Sequence, residues 1–443
     1  MKFIGRQLDQ QSKALVKNSK WIFIANVVGA GLGLIRSVFI ARGLGAETFG
    51  TYVLVISFIA LIQEFLNLNL GTAIIKFGAQ FQVQNRLDKL VVMIKQSVKI
   101  SFVMCTILIF IVTLLTLISY ETFIKKPHLH WFVIGYAIAN SVAYFNLITK
   151  ASLRLFFKFK KNSIIQIILD FIETSLMVAA VLIYPKNLTM FFIAAIATRF
   201  LNGLVCNLMG FWEMKKELWA HRHAKNNLLK EELPVIRKYV LNNSLGNTIK
   251  AFMQQGDVLL LGTLAGTVSV GFYSVAKKLA FSLLTITDPL VNSIYPQISK
   301  LISEKRIGEL QKMLVRITEI AALPALLFLI IGYFLNGWII TKVYGDGYLP
   351  ASYPFFFLLI NAAFGSVTFW VLPLIQGLGL VKLRLKVYTL MIIIGSVIAY
   401  FIVNISGASG MAISLLAVNI GINTIFIFAS IKKMKPLAVN PAL

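Results

Sequence analysis

The chain has 443 residues, of which 58% are hydrophobic and 14% charged; its mean hydropathy is +0.80 and its formal net charge +26. Soluble domains carry about a quarter charged residues, so an ordinary soluble globular protein is excluded. Apolar runs of roughly 20 residues recur throughout, enough for a helix to cross ~30 Å of hydrocarbon. They are continuous rather than alternating, which selects helices over a closed barrel.

In chain order, a basic arm from Lys2 to Lys20 precedes the first run. About twelve spans are predicted, near 21–41, 52–73, 98–118, 131–149, 163–184, 188–212, 239–264, 271–296, 317–336, 352–377, 385–405 and 408–431. The first is too long for a cleavable signal and lacks a small-residue cleavage site. Residues 213–236 form the longest polar stretch. They divide the chain into an N-terminal lobe of six spans (1–212), a linker (213–236) and a C-terminal lobe of six spans (237–443).

The charge follows the spans. Of the 43 Lys and Arg, 33 fall on one side: the N-terminal arm, 76–99, 150–161, 215–238, 300–316, 382–386 and the tail Lys432, Lys433, Lys435. Arg42, Lys125, Lys126, Lys186 and Lys342 fall on the other, and five lie inside spans. The positive-inside rule then puts both termini in the cytoplasm. Contact with anionic lipid heads accounts for the basic balance, and no nucleic-acid partner is expected. The string GLGAETFG lacks the Lys-Ser/Thr of a phosphate loop. Cys105 and Cys206 both fall in spans, and the His pairs 128/130 and 221/223 stand without clustered partners. No disulfide, metal or cofactor is expected, and energy would come from a proton or sodium gradient or from a partner.

One motif occurs twice. GLGAETFGTYVLV (43–55) and GTLAGTVSVGFYSVA (262–276) share a glycine, a second glycine five residues on, and a tyrosine two further: Gly45, Gly50, Tyr52 and Gly266, Gly271, Tyr273. The offset is 221 residues. An even number of crossings separates the copies, so the lobes are expected to be parallel repeats. Each copy is expected to form a helix–loop–helix corner at the outer surface, with its tyrosine in the interfacial belt.

The same offset relates Asn26, Gly29, Gly33 and Arg36 to Asn247, Lys250, Gln254 and Asp257; the spacing keeps each set on one helical face. Likewise Ser57, Glu64 and Asn67 map onto Lys278, Thr285 and Asp288. Spans 1, 2, 7 and 8 are therefore expected to turn polar faces toward a common axis. The plainer alternative is two separate bundles with isolated buried polar residues.

GLGAETFGTYVLVISFIALIQ and QQGDVLLLGTLAGTVSVGFYSVAKKLA, with YPQISKL further on, resemble the polysaccharide flippases of the MOP superfamily, of which the O-antigen and capsule repeat-unit flippases are the nearest in kind. The resemblance implies an all-α fold of two six-helix lobes in a V, like that of the MATE exporters, with a cavity opening alternately to each side. It also implies a substrate of oligosaccharide joined through pyrophosphate to undecaprenol, in the bacterial inner membrane. Polysaccharide polymerase machinery would be a partner.

Charges at bilayer depth cost at least ~2.5–3.5 kcal/mol and so face cavities or partners. Arg36, Lys250, Lys277 and Lys278, with Asn26, Asn247 and Gln254, are the candidate substrate contacts, because a pyrophosphate needs cations and a guanidinium binds two oxygens at once. The alternative for Arg36 is a static pair, for example with Asp257. Glu64, Asp257 and Asp288 are the candidate ion-coupling carboxylates. Asp170 and Glu173, three apart, are expected to pair with Arg199. Gly29, Gly31 and Gly33 offer a bend in span 1, and Pro289, Pro296, Pro324, Pro354 and Pro373 offer kinks in the C-terminal half.

Three functions are weighed. A lipid-linked oligosaccharide flippase fits the cationic set. A cation-coupled drug exporter shares the twelve-span plan. A membrane polymerase or ligase would need a large outer loop, and the longest here, near 119–130, is short; no enzymatic reaction is expected.

Overall fold

The computed structural model describes the backbone of residues 2–123, 130–282 and 288–439, and most side chains within them. Among the described residues the chain is helical, with no strand. The helices are α1 Lys2–Phe65, α2 Leu70–Val83, α3 Leu87–Phe123, α4 His130–Ser141, α5 Ala143–Leu155, α6 Phe159–Ile183, α7 Leu188–Leu218, α8 Leu233–Ser282, α9 Asp288–Ser303, α10 Ile307–Tyr344, α11 Ser352–Val367, α12 Val371–Gly377 and α13 Val381–Val439. Among the described residues, nine helical stretches are long and apolar enough to cross a membrane. Three of these, in α1, α8 and α13, are broken by a glycine in a non-helical conformation: Gly45, Gly266 and Gly407. Twelve crossing segments result, as the hydropathy implies. The protein is a multi-pass membrane protein.

The repeat runs through the whole chain. Adding 220 to 222 residues carries α2 toward α9, α3 onto α10, the α4–α5 pair onto α11–α12, and α6–α7 onto the two arms of α13. Backbone breaks follow the same offset. Positive φ occurs at Gly45 and Gly266, at Asn85 and Lys305, at Phe157 and Gly379, and at Lys186 and Gly407. Each pair marks an equivalent turn, although only the first uses glycine in both copies.

The corner motif is tighter than a loop. One residue, Gly45 (φ 76°, ψ 168°) or Gly266 (φ 74°, ψ −179°), turns the chain between two helical arms. This region of φ strains a residue bearing Cβ, which is why glycine stands there. The second glycine of each motif serves close approach. A methyl on Gly50 would overlap the Thr267 carbonyl oxygen, and one on Gly271 would overlap that of Ala46, so the two motif copies pack backbone to backbone. Tyr273 does not sit in an interfacial belt; it is fully buried, its hydroxyl 2.5 Å from Asp257 Oδ2. A partner at hydrogen-bond distance replaces the interfacial water the phenol would otherwise need.

Two compact units are found: the chain up to Arg36 with Phe58–Ala251, and Ser37–Ser57 with Phe252–Leu443. The core of the first centres on Ile74, Leu90 and Ile148, with Met214, Leu218 and Val240 closing it. That of the second has two clusters, around Ile298, Leu310 and Leu374 and around Ile375, Val418 and Phe426. Elsewhere long apolar side chains such as Phe102, Phe110, Phe334 and Phe401 point outward, as lipid-facing helices require. α1 runs helical through Gly29, Gly31 and Gly33, with no break in its backbone there. α10 continues across Pro324.

Candidate functional site

In the first unit, a cavity of about 270 Å³ is lined by Arg36 of α1, Glu64 and Asn67 near the α1–α2 break, Asn146 and Lys150 of α5, Asp170 and Glu173 of α6, and Arg199 of α7, among others. Three cations and three carboxylates thus share one wall at membrane depth. Broken backbone builds part of it. α1 ends at Phe65, and the break before α2 is held by polar groups: Asn67 Nδ2 donates to Glu64 (3.1 Å), and Asn67 Oδ1 accepts from the Asn69 amide (2.9 Å). Non-helical backbone at this depth is tolerated where it lines a cavity. The α4–α5 break is satisfied likewise, by Asn207 Nδ2 donating to the Val142 carbonyl (3.2 Å).

The charges are partnered across helices. Arg36 Nη1 lies 2.5 Å from Glu173 Oε1, yet this nitrogen makes no aligned hydrogen bond, and the Asn146 Oδ1 on the same wall is also unpartnered. Lys150 donates to Gln166 (2.8 Å), which donates to Asp170 (2.9 Å). Arg199 Nε donates to Asn140 (2.8 Å). Gly29 leaves room for a carboxylate: a Cβ there would stand 3.0 Å from Asp170 Oδ2. Glu173 thus meets Arg36 and Asp170 accepts from an amide, while Arg199, expected to pair with these two carboxylates, lines the same cavity.

In the second unit, Asp257 is 7% exposed and forms an ion pair with Lys277 at 2.6 Å. Lys277 also donates to the Gln254 carbonyl (3.0 Å). Tyr273 completes the cluster. Arg36 and Asp257 stand at equivalent repeat positions with opposite charge, and each finds its counter-ion within its own unit. Buried charges of either sign need such a partner.

A family model described as "Polysaccharide biosynthesis protein" matches residues 15–302. The chain belongs to this polysaccharide biosynthesis family. Its fold is that of MOP-superfamily transporters. An inward-facing multidrug resistance MATE transporter of that superfamily is similar over 93% of this chain and 96% of its own, with 15% identity and a TM-score of 0.71. The lipid II flippase MurJ in an inward closed conformation is similar over 96% and 90%, with 14% identity and a TM-score of 0.68. A mutant of the Vibrio cholerae MATE transporter VcmN aligns over 97% and 99%, with 13% identity and a TM-score of 0.62. Identities this low carry the fold and nothing finer. A search of curated proteins found no match.

The sequence-predicted positions of this family member fall in several places. Arg36 and Glu64 line the first unit's cavity. Asp257, Lys277 and the Gln254 backbone form the second unit's cluster. Asn26, Gln254 and Lys278 have exposed side chains. Asn247 and Lys250 lie in α8 and Asp288 opens α9, but their side chains are outside the described residues. Sequence reasoning missed Lys150, Asn146 and Gln166. Asn146 and Lys150 are four apart on the face of α5, a polar pair within an apolar helix; that spacing was the available signal.

Proposed function

We propose that the protein flips undecaprenyl-pyrophosphate-linked oligosaccharide repeat units across the bacterial cytoplasmic membrane by alternating access, coupled to an ion gradient. The observation that carries this reading is the conjunction of a polysaccharide biosynthesis family with a MOP transporter fold. Transport is then the step such a fold contributes, and no covalent bond changes. Both termini would lie in the cytoplasm.

The charge arrangement suits the task. Moving a pyrophosphate through a low-dielectric path needs cations that can change partners. Arg36 would exchange Glu173 for phosphate oxygens, which a guanidinium can grip in pairs. Lys250, Lys277 and Lys278, with Asn26, Asn247 and Gln254, would contact the head group and sugars along its path. A cavity of about 270 Å³ lies just below the ~300–1,000 Å³ of ordinary ligand pockets. It fits a head group or single ring, so the oligosaccharide would occupy other space. Glu64, Asp257 and Asp288 are the carboxylates through which protons or sodium would act, Asp257 by releasing Lys277.

A cation-coupled exporter of small molecules is the second reading, favoured by the similarity to MATE folds. Complementation separates the two. In a strain lacking its own repeat-unit flippase, the wild-type chain should restore surface polysaccharide, and Arg36→Ala and Lys250→Ala should reduce it at normal protein levels. Unaltered export by both variants would remove the pyrophosphate role; restored drug efflux without polysaccharide would favour the exporter.

A further inference from the structure

The basic end of the first unit carries a second arrangement that transport of substrate does not explain. Three tryptophans sit there, each with cations over its ring. Lys160 lies 5.1 Å from the Trp21 ring centre. Lys161 and Lys216 lie 4.8 and 3.3 Å from that of Trp212. Lys215 and Arg222 lie 4.4 and 4.5 Å from that of Trp219. Trp212 and Trp219 are 53% and 50% exposed. Such half-open indoles with cations are the groups that settle at the headgroup level of a bilayer.

Charge does not balance locally. The buried Glu213 takes Lys158 and Lys161, with Lys216 3.6 Å away, and Glu217 also takes Lys158 (2.7 Å). Among the described residues, two carboxylates therefore face six cations: Lys158, Lys160, Lys161, Lys215, Lys216 and Arg222. The patch continues into an apolar stripe. Leu201, Leu204, Leu208, Trp212, Lys215 and Trp219 follow at spacings of three and four along α7 and its C-terminal cap, all exposed, and so share one face. On α6, Ile164, Ile168 and Phe171 form a second exposed stripe below Lys160 and Lys161.

We infer that this end of α6 and α7 is a binding site for an anionic glycerophospholipid. Its phosphate is held between the α6 lysines and the α7 lysines, and its acyl chains lie along the two apolar stripes. The juxtaposition of excess cations, headgroup-level indoles and lipid-length hydrophobic faces argues for a lipid rather than a soluble anion, which would have no use for the stripes. A basic cluster beside transmembrane helices attracts anionic lipid at about fivefold in partition per lysine.

The test uses the full-length protein in detergent, titrated with dioleoylphosphatidylglycerol, dioleoylphosphatidylcholine or inorganic phosphate, with thermal stability and native mass spectrometry as readouts. Phosphatidylglycerol should raise the Tm and be retained, whereas phosphatidylcholine and phosphate should do neither. Lys160→Gln, Lys215→Gln and Lys216→Gln combined, which spares the two lysines gripping Glu213, should weaken phosphatidylglycerol binding by about tenfold or more, in line with the per-lysine attraction. Lys312→Gln, Lys432→Gln and Lys433→Gln combined should leave it within about twofold, because those lysines lie on α10 and α13 and form no part of the α6–α7 patch. Photoactivatable phosphatidylglycerol on the wild-type protein should label peptides covering 157–171 and 201–222. Equal effects of both lipids, equal loss in both triple variants, stabilisation by phosphate alone, or labelling elsewhere would each overturn the assignment.

Discussion

Arg36 sits against Glu173 at 2.5 Å, and a variant that removes it also strips a buried carboxylate of its partner. The substrate role and the pairing role therefore make different predictions. Arg36→Ala should abolish most export at normal protein abundance while lowering the Tm of the purified protein; adding Glu173→Ala should recover the Tm but not export. If the double variant exports normally, Arg36 only holds the helices. The second unit offers a matching test of electrostatics. Lys277→Met leaves Asp257, 7% exposed, with the Tyr273 hydroxyl and the Val258 amide but no counter-ion from Lys277, at an expected cost of about 3 kcal/mol. Asp257→Asn with Lys277→Met should cost less than the single change, a non-additivity read from thermal melts; strictly additive melts would show that the pair is uncoupled. Outside the spans, Glu232 accepts from Lys89, and that hydrogen bond holds its carboxyl below the usual carboxylate range. A depressed carboxyl stabilises above its unfolded pKa and loses that contribution as pH falls through the folded one. Amide protection over 229–236 should therefore drop in acid, in hydrogen exchange of the wild type but not of Glu232→Gln.

At the scale of elements, the duplicated corner makes the sharpest claim. Gly50 and Gly271 each face a carbonyl oxygen of the other motif, so no side-chain movement can relieve an added methyl. Gly271→Ala should destabilise by about 3 kcal/mol or more, whereas Gly31→Ala, with open space around it, should be neutral or mildly stabilising. Equal melting temperatures for the two would refute the backbone contact. The motif was legible in the sequence because glycine is demanded twice at a fixed spacing. The equivalent turns at Lys186 and Gly407, or Phe157 and Gly379, were not: in one copy a side-chain-bearing residue takes the positive φ, and no residue type announces it. The polar wall was half legible. Arg36, Glu64, Asp170, Glu173 and Arg199 stand out as intramembrane charges, but which carboxylate meets which cation depends on helix rotation that spacing leaves open. Lys150 was hidden at the edge of a basic run, where it reads as an interfacial lysine.

For the whole molecule, twelve crossing segments in two repeats, a match to a polysaccharide biosynthesis family and a MOP fold are the observations on which the proposed transport of a membrane-bound saccharide rests. The hydropathy and the 221-residue offset made the fold readable, because lipid forces helices and duplication leaves a period. The cargo was less readable, since sugar recognition rests on the shape of a chamber rather than on motif spacing. The decisive measurement is the pool of lipid-linked repeat units on each face of the inner membrane in a flippase-deficient strain. Wild-type protein should clear the inward-facing pool into surface polysaccharide, and Arg36→Ala should leave that pool accumulated at normal protein abundance. An inward-facing pool that persists with wild-type protein, in cells where the chain is inserted and stable and the strain's cognate flippase clears it, would contradict the account.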